Sequence, residues 1–144
     1  MVDSDTRNLL KECNAGSKMA TNSMEQIHEY IVDDKLRRII DRYNEKHIKL
    51  GEEITQLLEE YGADEKDPDK MAKVFSWLTT EVKMMFKDDA HQVAKIMMDG
   101  CNMGIQSVSE YINKYAAADD KSVELAKELV KIEEEFMKDL KEFL

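Results

Sequence analysis

The chain has 144 residues, of which 42% are hydrophobic and 36% are charged, and its formal net charge is −10. This length allows one buried core and is short for two ordinary domains, so we expect a single domain over residues 1–144. The excess of carboxylates repels a phosphate backbone, which excludes nucleic acid as an expected partner.

Helix is favoured almost everywhere, because the chain has only five Gly and one Pro to break it. The first helix begins after Asp3-Ser4-Asp5, and Asp33-Asp34 caps the second, which Gly62 ends. Both helices carry an apolar stripe typical of a helical bundle. Their connection is short, so they form an antiparallel hairpin over residues 4–62.

A crossover helix is predicted over residues 68–87, where Asp67 is a cap and Pro68 takes the first helical position. Its apolar stripe is broad, because Trp77 and Met84 extend it sideways. Two interpretations are open. The helix lies in a groove of its own bundle, or it forms a homodimer through Trp77 and Met84.

The second hairpin, over residues 90–144, is a copy of the first. Cys13-Asn14-Ala15-Gly16 recurs as Cys101-Asn102-Met103-Gly104 at a shift of 88 residues, and Asp33-Asp34-Lys35 recurs as Asp119-Asp120-Lys121 at a shift of 86. Two like hairpins bury their apolar faces against each other. The sequence therefore predicts an all-α, up-down four-helix bundle with pseudo-twofold symmetry and one helical crossover.

Gly16 and Gly104 lie in the middle of predicted helices, where Gly costs about 1 kcal/mol relative to Ala. We expect the first helices of the two hairpins to approach each other closely at these glycines. Cys13 and Cys101 lie beside them and are predicted to be buried thiols, with a redox-active disulfide as the alternative.

The location predicted for the chain is the cytoplasm. No charged and apolar targeting segment opens the sequence, and no apolar run reaches the roughly 18 residues that cross a bilayer. Two cysteines in helical segments fit a reducing compartment. We therefore expect neither a membrane span nor export.

Several motifs occur in a characteristic order along nearly the whole chain. They are the Cys-Asn-x-Gly motif from Cys13, the Asp-Asp-Lys turn, the ending from Leu57 to Gly62, and Phe75-Ser76-Trp77-Leu78 followed by Lys87-Asp88-Asp89. In their order and spacing they resemble an uncharacterised bacterial four-helix-bundle family of the ferritin-like superfamily. The resemblance implies a ferritin-like fold and little about activity.

Di-iron members of that superfamily carry a carboxylate on one helix of each hairpin and Glu-x-x-His on the other. This chain departs from the pattern. Its one Glu-x-x-His, Glu25 to His28, lies on the first helix near the turn, and Asn44 stands where the carboxylate before His47 is expected. An intact di-iron centre is therefore not expected.

A degenerate site for iron or another divalent metal would use His47, Glu45, Glu133 and Glu134. Glu133 is the repeat equivalent of His47 and lies on a similar face of its helix. The alternative interpretation is that His47 and Glu133 form a hydrogen-bonded or solvated pair with no metal.

No nucleophile with a neighbouring base can be recognised among three scattered histidines, and no phosphate-binding loop occurs. The sequence thus favours a non-catalytic bundle without cofactors, acting through protein association or in a stress-related structural role. The alternative function is a ferritin-like metal-binding protein, an iron oxidase or a metal store, that uses the degenerate site.

Overall fold

A computed structural model describes residues 3–63 and 89–144. Over these residues the chain forms four α-helices: α1 (Ser4–His28), α2 (Asp34–Glu60), α3 (Ala90–Lys114) and α4 (Asp120–Leu140), followed by a 3-10 turn at Lys141–Phe143. The prediction of an all-α four-helix bundle is confirmed. The crossover helix predicted over residues 68–87, with Trp77 and Met84, lies outside the described residues.

Each of the four helices begins after an aspartate. The side chains of Asp3, Asp33, Asp89 and Asp119 each accept a hydrogen bond of 2.8 to 2.9 Å from the backbone N–H three residues further on. These bonds satisfy N–H groups that have no partner within the helix. The aspartates therefore fix where the helices start.

Helix α2 ends in a Schellman motif. Gly62 has a φ of 65°, and the N–H groups of Gly62 and Ala63 donate to the carbonyls of Glu59 and Leu58 at 3.0 Å. The left-handed conformation suits Gly because it lacks a Cβ atom. Gly62 therefore ends the hairpin at the predicted residue.

The directions of the helices follow from contacts at the two ends of the bundle. At one end the backbone N–H of Asp119 donates to the Thr6 hydroxyl at 2.8 Å. At the other end Lys35 and Glu142 form an ion pair at 2.7 Å. Consequently α1 and α4 run in one direction while α2 and α3 run in the opposite one, an up, down, down, up order.

The core lies where the apolar stripes of the four helices meet, as the periodicity predicts. Its buried members include Leu10, Met24 and Ile27 of α1, Ile40 and Ile54 of α2, Val93 and Met97 of α3, and Leu129 and Phe136 of α4. No helix among the described residues is long and apolar enough to span a membrane.

Helix α2 packs against α4 around the predicted pseudo-twofold axis. The rings of Tyr43 and Phe136 stack with centroids 4.8 Å apart and planes 14° apart. One turn further along, His47 contacts Glu133. Because the repeat maps His47 onto Glu133, each residue contacts its own repeat equivalent, as expected at a pseudo-twofold axis.

Asp119 connects three helices at one end of the bundle. Besides capping α4, its carboxylate accepts a hydrogen bond of 2.8 Å from the hydroxyl of Tyr61 at the end of α2. Burial alone would raise the pKa of Asp119, but the hydrogen bonds from Ser122 and Tyr61 outweigh it and hold the pKa below its ordinary value. The ionised form is therefore the one that stabilises the bundle.

We expect Asp119→Ala to lower the free energy of unfolding by at least about 1 kcal/mol more than Asp33→Ala, measured by urea denaturation at pH 7. Asp33 is the matched control, since it is the repeat equivalent and is exposed, with its cap bond to Leu36 at 2.9 Å. Of the two aspartates, only Asp119 also accepts a hydrogen bond from a tyrosine hydroxyl.

The difference in the free energy of unfolding between Asp119→Ala and Asp33→Ala should depend on pH. A carboxyl whose folded pKa is lowered stabilises the fold above its unfolded pKa of about 4, and that contribution disappears as the pH falls through the folded value. The two variants should therefore converge in stability in acid. Equal costs at pH 7 would contradict the assigned role.

Candidate functional site

The buried polar centre of the bundle is the pair formed by His47 of α2 and Glu133 of α4. The side chain of His47 is 0% exposed and that of Glu133 is 9% exposed. Nε2 of His47 lies 2.7 Å from Oε1 of Glu133, and Nδ1 lies 2.7 Å from the carbonyl oxygen of Tyr43. Both ring nitrogens of His47 therefore have partners inside the protein.

These partners determine how the protons are arranged. The carbonyl of Tyr43 can only accept, so Nδ1 of His47 carries a hydrogen. Between Nε2 and the carboxyl of Glu133 there is then one shared proton, whichever atom holds it. The pair is neutral overall, which is what makes its burial tolerable.

The thiol of Cys101 is buried near this pair. Burial, followed by the nearby charge of Glu133, raises the pKa of Cys101 far above its ordinary value. Burial, followed by the charge of Glu12, raises the pKa of Cys13 to about 12. Both residues are free and buried, as predicted, and as thiols rather than thiolates they are weak nucleophiles.

A close contact between α1 and α2 holds the backbone around His47. The Ser17 hydroxyl donates to the carbonyl of His47 at 3.0 Å. A Cβ at Gly51, one turn further along α2, would lie 2.8 Å from that hydroxyl oxygen. Sequence reasoning did not identify Gly51, although its position in mid-helix, four residues after His47, was a signal of close packing.

Of the four predicted metal ligands, the structure brings together only His47 and Glu133. Glu45 and Glu134 are exposed, because Glu45 lies two residues before His47 and Glu134 lies one residue after Glu133, and each residue turns the side chain about 100° around the helix. Among residues 3–63 and 89–144, no group of three or more His, Cys, Asp or Glu side chains could hold a metal ion. The two ligands that do come together, His47 and Glu133, do not fit a di-iron centre.

The Glu-x-x-His motif of the first helix also lies apart from this pair, as predicted. His28 is at the surface, where its Nε2 lies 3.3 Å from Oδ1 of Asp41. Both side chains are about half exposed, at 49% and 53%. His28 therefore contributes to the surface of the first hairpin rather than to its core.

The prediction that α1 and α3 approach closely at Gly16 and Gly104 is wrong. A Cβ at Gly16 would meet Leu129 at 3.7 Å, and one at Gly104 would meet Glu133 at 3.6 Å. Both glycines thus face α4, and the space between α1 and α3 at this level is a cavity of about 240 Å³. Helical periodicity identified the face that the glycines occupy but not the separation of the helices.

This cavity, called here the α1–α3 cavity, has the polar pair in its wall. The described residues around it are mostly small or apolar, and they include Gly16, Met19, Ala20, Met97, Gly100, Met103, Gly104 and Val108 as well as Cys101, His47 and Glu133. An apolar cavity with a few converging polar groups is the usual form of a ligand site.

Comparison with known proteins supports the fold. No protein-family model matches the sequence, and no curated protein matches it. A crystal structure described as a DUF305 fragment from Deinococcus radiodurans superposes with a TM-score of 0.78, covering 98% of this chain and 95% of that chain at 9% sequence identity. This chain therefore shares its fold with that fragment.

The importance of the buried pair can be tested by removing one partner. Glu133→Ala leaves the buried Nε2 of His47 without a partner, so we expect the free energy of unfolding to fall by about 3 kcal/mol or more. Glu134→Ala, at the next residue and exposed, should change it by less than about 0.5 kcal/mol. Urea denaturation at pH 7 measures both.

A double variant separates polarity from packing. His47→Leu combined with Glu133→Met removes both polar partners and should recover most of the stability that Glu133→Ala loses. Equal effects of Glu133→Ala and Glu134→Ala would contradict the assignment of a buried pair.

Proposed function

We propose that the chain is a non-catalytic helical bundle of the ferritin-like type, which acts through protein association or in a structural role under stress. The observation that carries this proposal is the 2.7 Å contact between His47 and Glu133. The two best ligand or acid–base candidates of the core are bonded to each other. The nearby thiol of Cys101 keeps its proton, so it too serves packing rather than chemistry.

The order of the helices supports the ferritin-like part of the proposal. Helices α2 and α3 run in the same direction, so Ala63 and Asp89, which border the described ranges, lie at opposite ends of the bundle. A connection between parallel helices has to return along the bundle. The ferritin-like plan of two hairpins with one long crossover has this requirement.

For the association we propose a homodimer through Trp77 and Met84. This choice comes from the sequence, in which the apolar stripe of residues 68–87 is wider than one line of helix contact needs. A broad apolar helix face is a common basis for self-association, because it removes apolar surface of both copies from water.

We expect the wild-type chain to sediment as a dimer at micromolar concentration, and Trp77→Glu to sediment as a monomer with an unchanged circular dichroism spectrum. A charge placed in an apolar interface cannot be desolvated without a large cost. Trp77→Phe, which keeps an aromatic ring, is the matched control and should remain dimeric. A wild-type chain that is monomeric at every concentration would contradict the homodimer.

The alternative function, a metal-binding protein, has one observation in its favour. Nδ1 of His47 donates to a backbone carbonyl, which is how many metal-binding histidines are oriented. Its Nε2 is directed at Glu133 at 2.7 Å, however, which leaves no room for an ion between the two atoms. The geometry therefore favours the hydrogen-bonded pair.

Elemental analysis discriminates between the two functions. We expect protein purified without a metal-binding tag to hold no stoichiometric metal, before or after incubation with ferrous iron, and His47→Ala to give the same result. Stoichiometric metal in the wild type that is lost in His47→Ala would instead establish the metal-binding function and locate its site.

A further inference from the structure

The α1–α3 cavity is large enough for a small organic molecule. Its volume is about 240 Å³. An engineered apolar cavity of about 150 Å³ in another protein binds benzene. The cavity of this chain therefore has room for a fused two-ring molecule.

Three of the residues that border this space are glycines. Gly16 on α1 and Gly100 and Gly104 on α3 all line the cavity. Each occupies a helix interior, where Ala would be more favourable. A Cβ at Gly104 would stand 3.6 Å from the carboxyl carbon of Glu133, so its absence leaves that carboxyl accessible from the cavity.

The carboxyl of Glu133 has acceptor capacity left for a ligand. His47 contacts only Oε1 of Glu133, at 2.7 Å. Whichever atom holds the shared proton, the second carboxyl oxygen can still accept a hydrogen bond. A ligand that donates a hydrogen bond can use this oxygen.

The lining provides no cation for an anionic ligand. The described residues around the cavity include no Lys or Arg, and His47 is already paired with Glu133. A carboxylate ligand such as a fatty acid would lose its hydration there without gaining a positively charged partner. An uncharged molecule with an apolar body and a donor fits better.

We propose that the α1–α3 cavity binds a small, uncharged, apolar molecule that carries one N–H or O–H group, and that Glu133 accepts the hydrogen bond from this group. This proposal uses Glu133 and the described residues around the cavity, whereas the proposed homodimer uses Trp77 and Met84. The two proposals are tested by different measurements.

Indole is a suitable probe, since it has two fused rings and a single N–H donor. We expect it to bind the full chain in calorimetric titrations and to shift the amide NMR signals of Gly16, Gly100 and Gly104. 1-Benzothiophene has the same shape without the donor, so it should bind about tenfold or more weakly. Octanoate, an apolar anion, should not compete with indole.

A variant that fills the cavity provides the second test. Gly104→Leu should reduce indole affinity at least tenfold, because its side chain occupies the space beside Glu133. Gln106→Leu is the matched control: it adds a leucine to an exposed position of the same helix outside the cavity, and it should bind indole as the wild type does.

Three results would overturn the proposal: no indole binding up to its solubility limit, equal affinity for 1-benzothiophene, or unchanged affinity in folded Gly104→Leu. If Gly104→Leu does not fold, the comparison of indole with 1-benzothiophene and the glycine shifts still decide the question. Sedimentation reports the oligomeric state separately.

Discussion

The contact between His47 and Glu133 is the constraint around which the two hairpins are arranged. It joins α2 to α4 at 2.7 Å, in a core that is otherwise mostly apolar. Mismatching the two helices by one turn would leave both groups buried without partners, at a cost of several kcal/mol. A buried polar pair of this kind therefore sets the register of the hairpins, whereas apolar packing alone tolerates shifts more easily.

The contact between two repeat equivalents explains why the two copies must differ at this position. His47 and Glu133 each face the residue that replaces them in the other copy. Two glutamates or two protonated histidines at this distance would place like charges in contact inside the protein. With His47 in one copy and Glu133 in the other, one proton serves both groups, and the pair is neutral. The two copies of the repeat can therefore share their apolar stripes and helix caps, but they must differ at His47 and Glu133.

Much of this architecture could be predicted from the sequence, because it depends on local chemistry. Asp33 and Asp119 mark helix starts, Gly62 marks a helix end, and the repeat aligns His47 with Glu133. Features that depend on the distance between helices could not be predicted. Gly16 and Gly104 indicated an unusual site in two helices, but not whether the helices pack closely there or leave a cavity. Glu45 and Glu134 are close to the pair in sequence, whereas burial depends on the helical phase of each residue.

The region around Glu133 lowers the stability of the bundle, and this loss of stability is informative about its function. The described part of the bundle combines, at neighbouring levels, a buried ionisable pair, three helix-interior glycines and a cavity of about 240 Å³. Each of these lowers stability relative to a well-packed apolar core. The pair can be explained by register, since it aligns the hairpins. Register does not explain Gly100, at which a Cβ would meet nothing within 4 Å, or Gly104, at which a Cβ would have only ordinary contacts.

Features that break the local rules of a fold without a structural gain concentrate at functional sites. The glycines and the cavity are therefore better explained by the binding of a ligand beside Glu133 than by the packing of the helices.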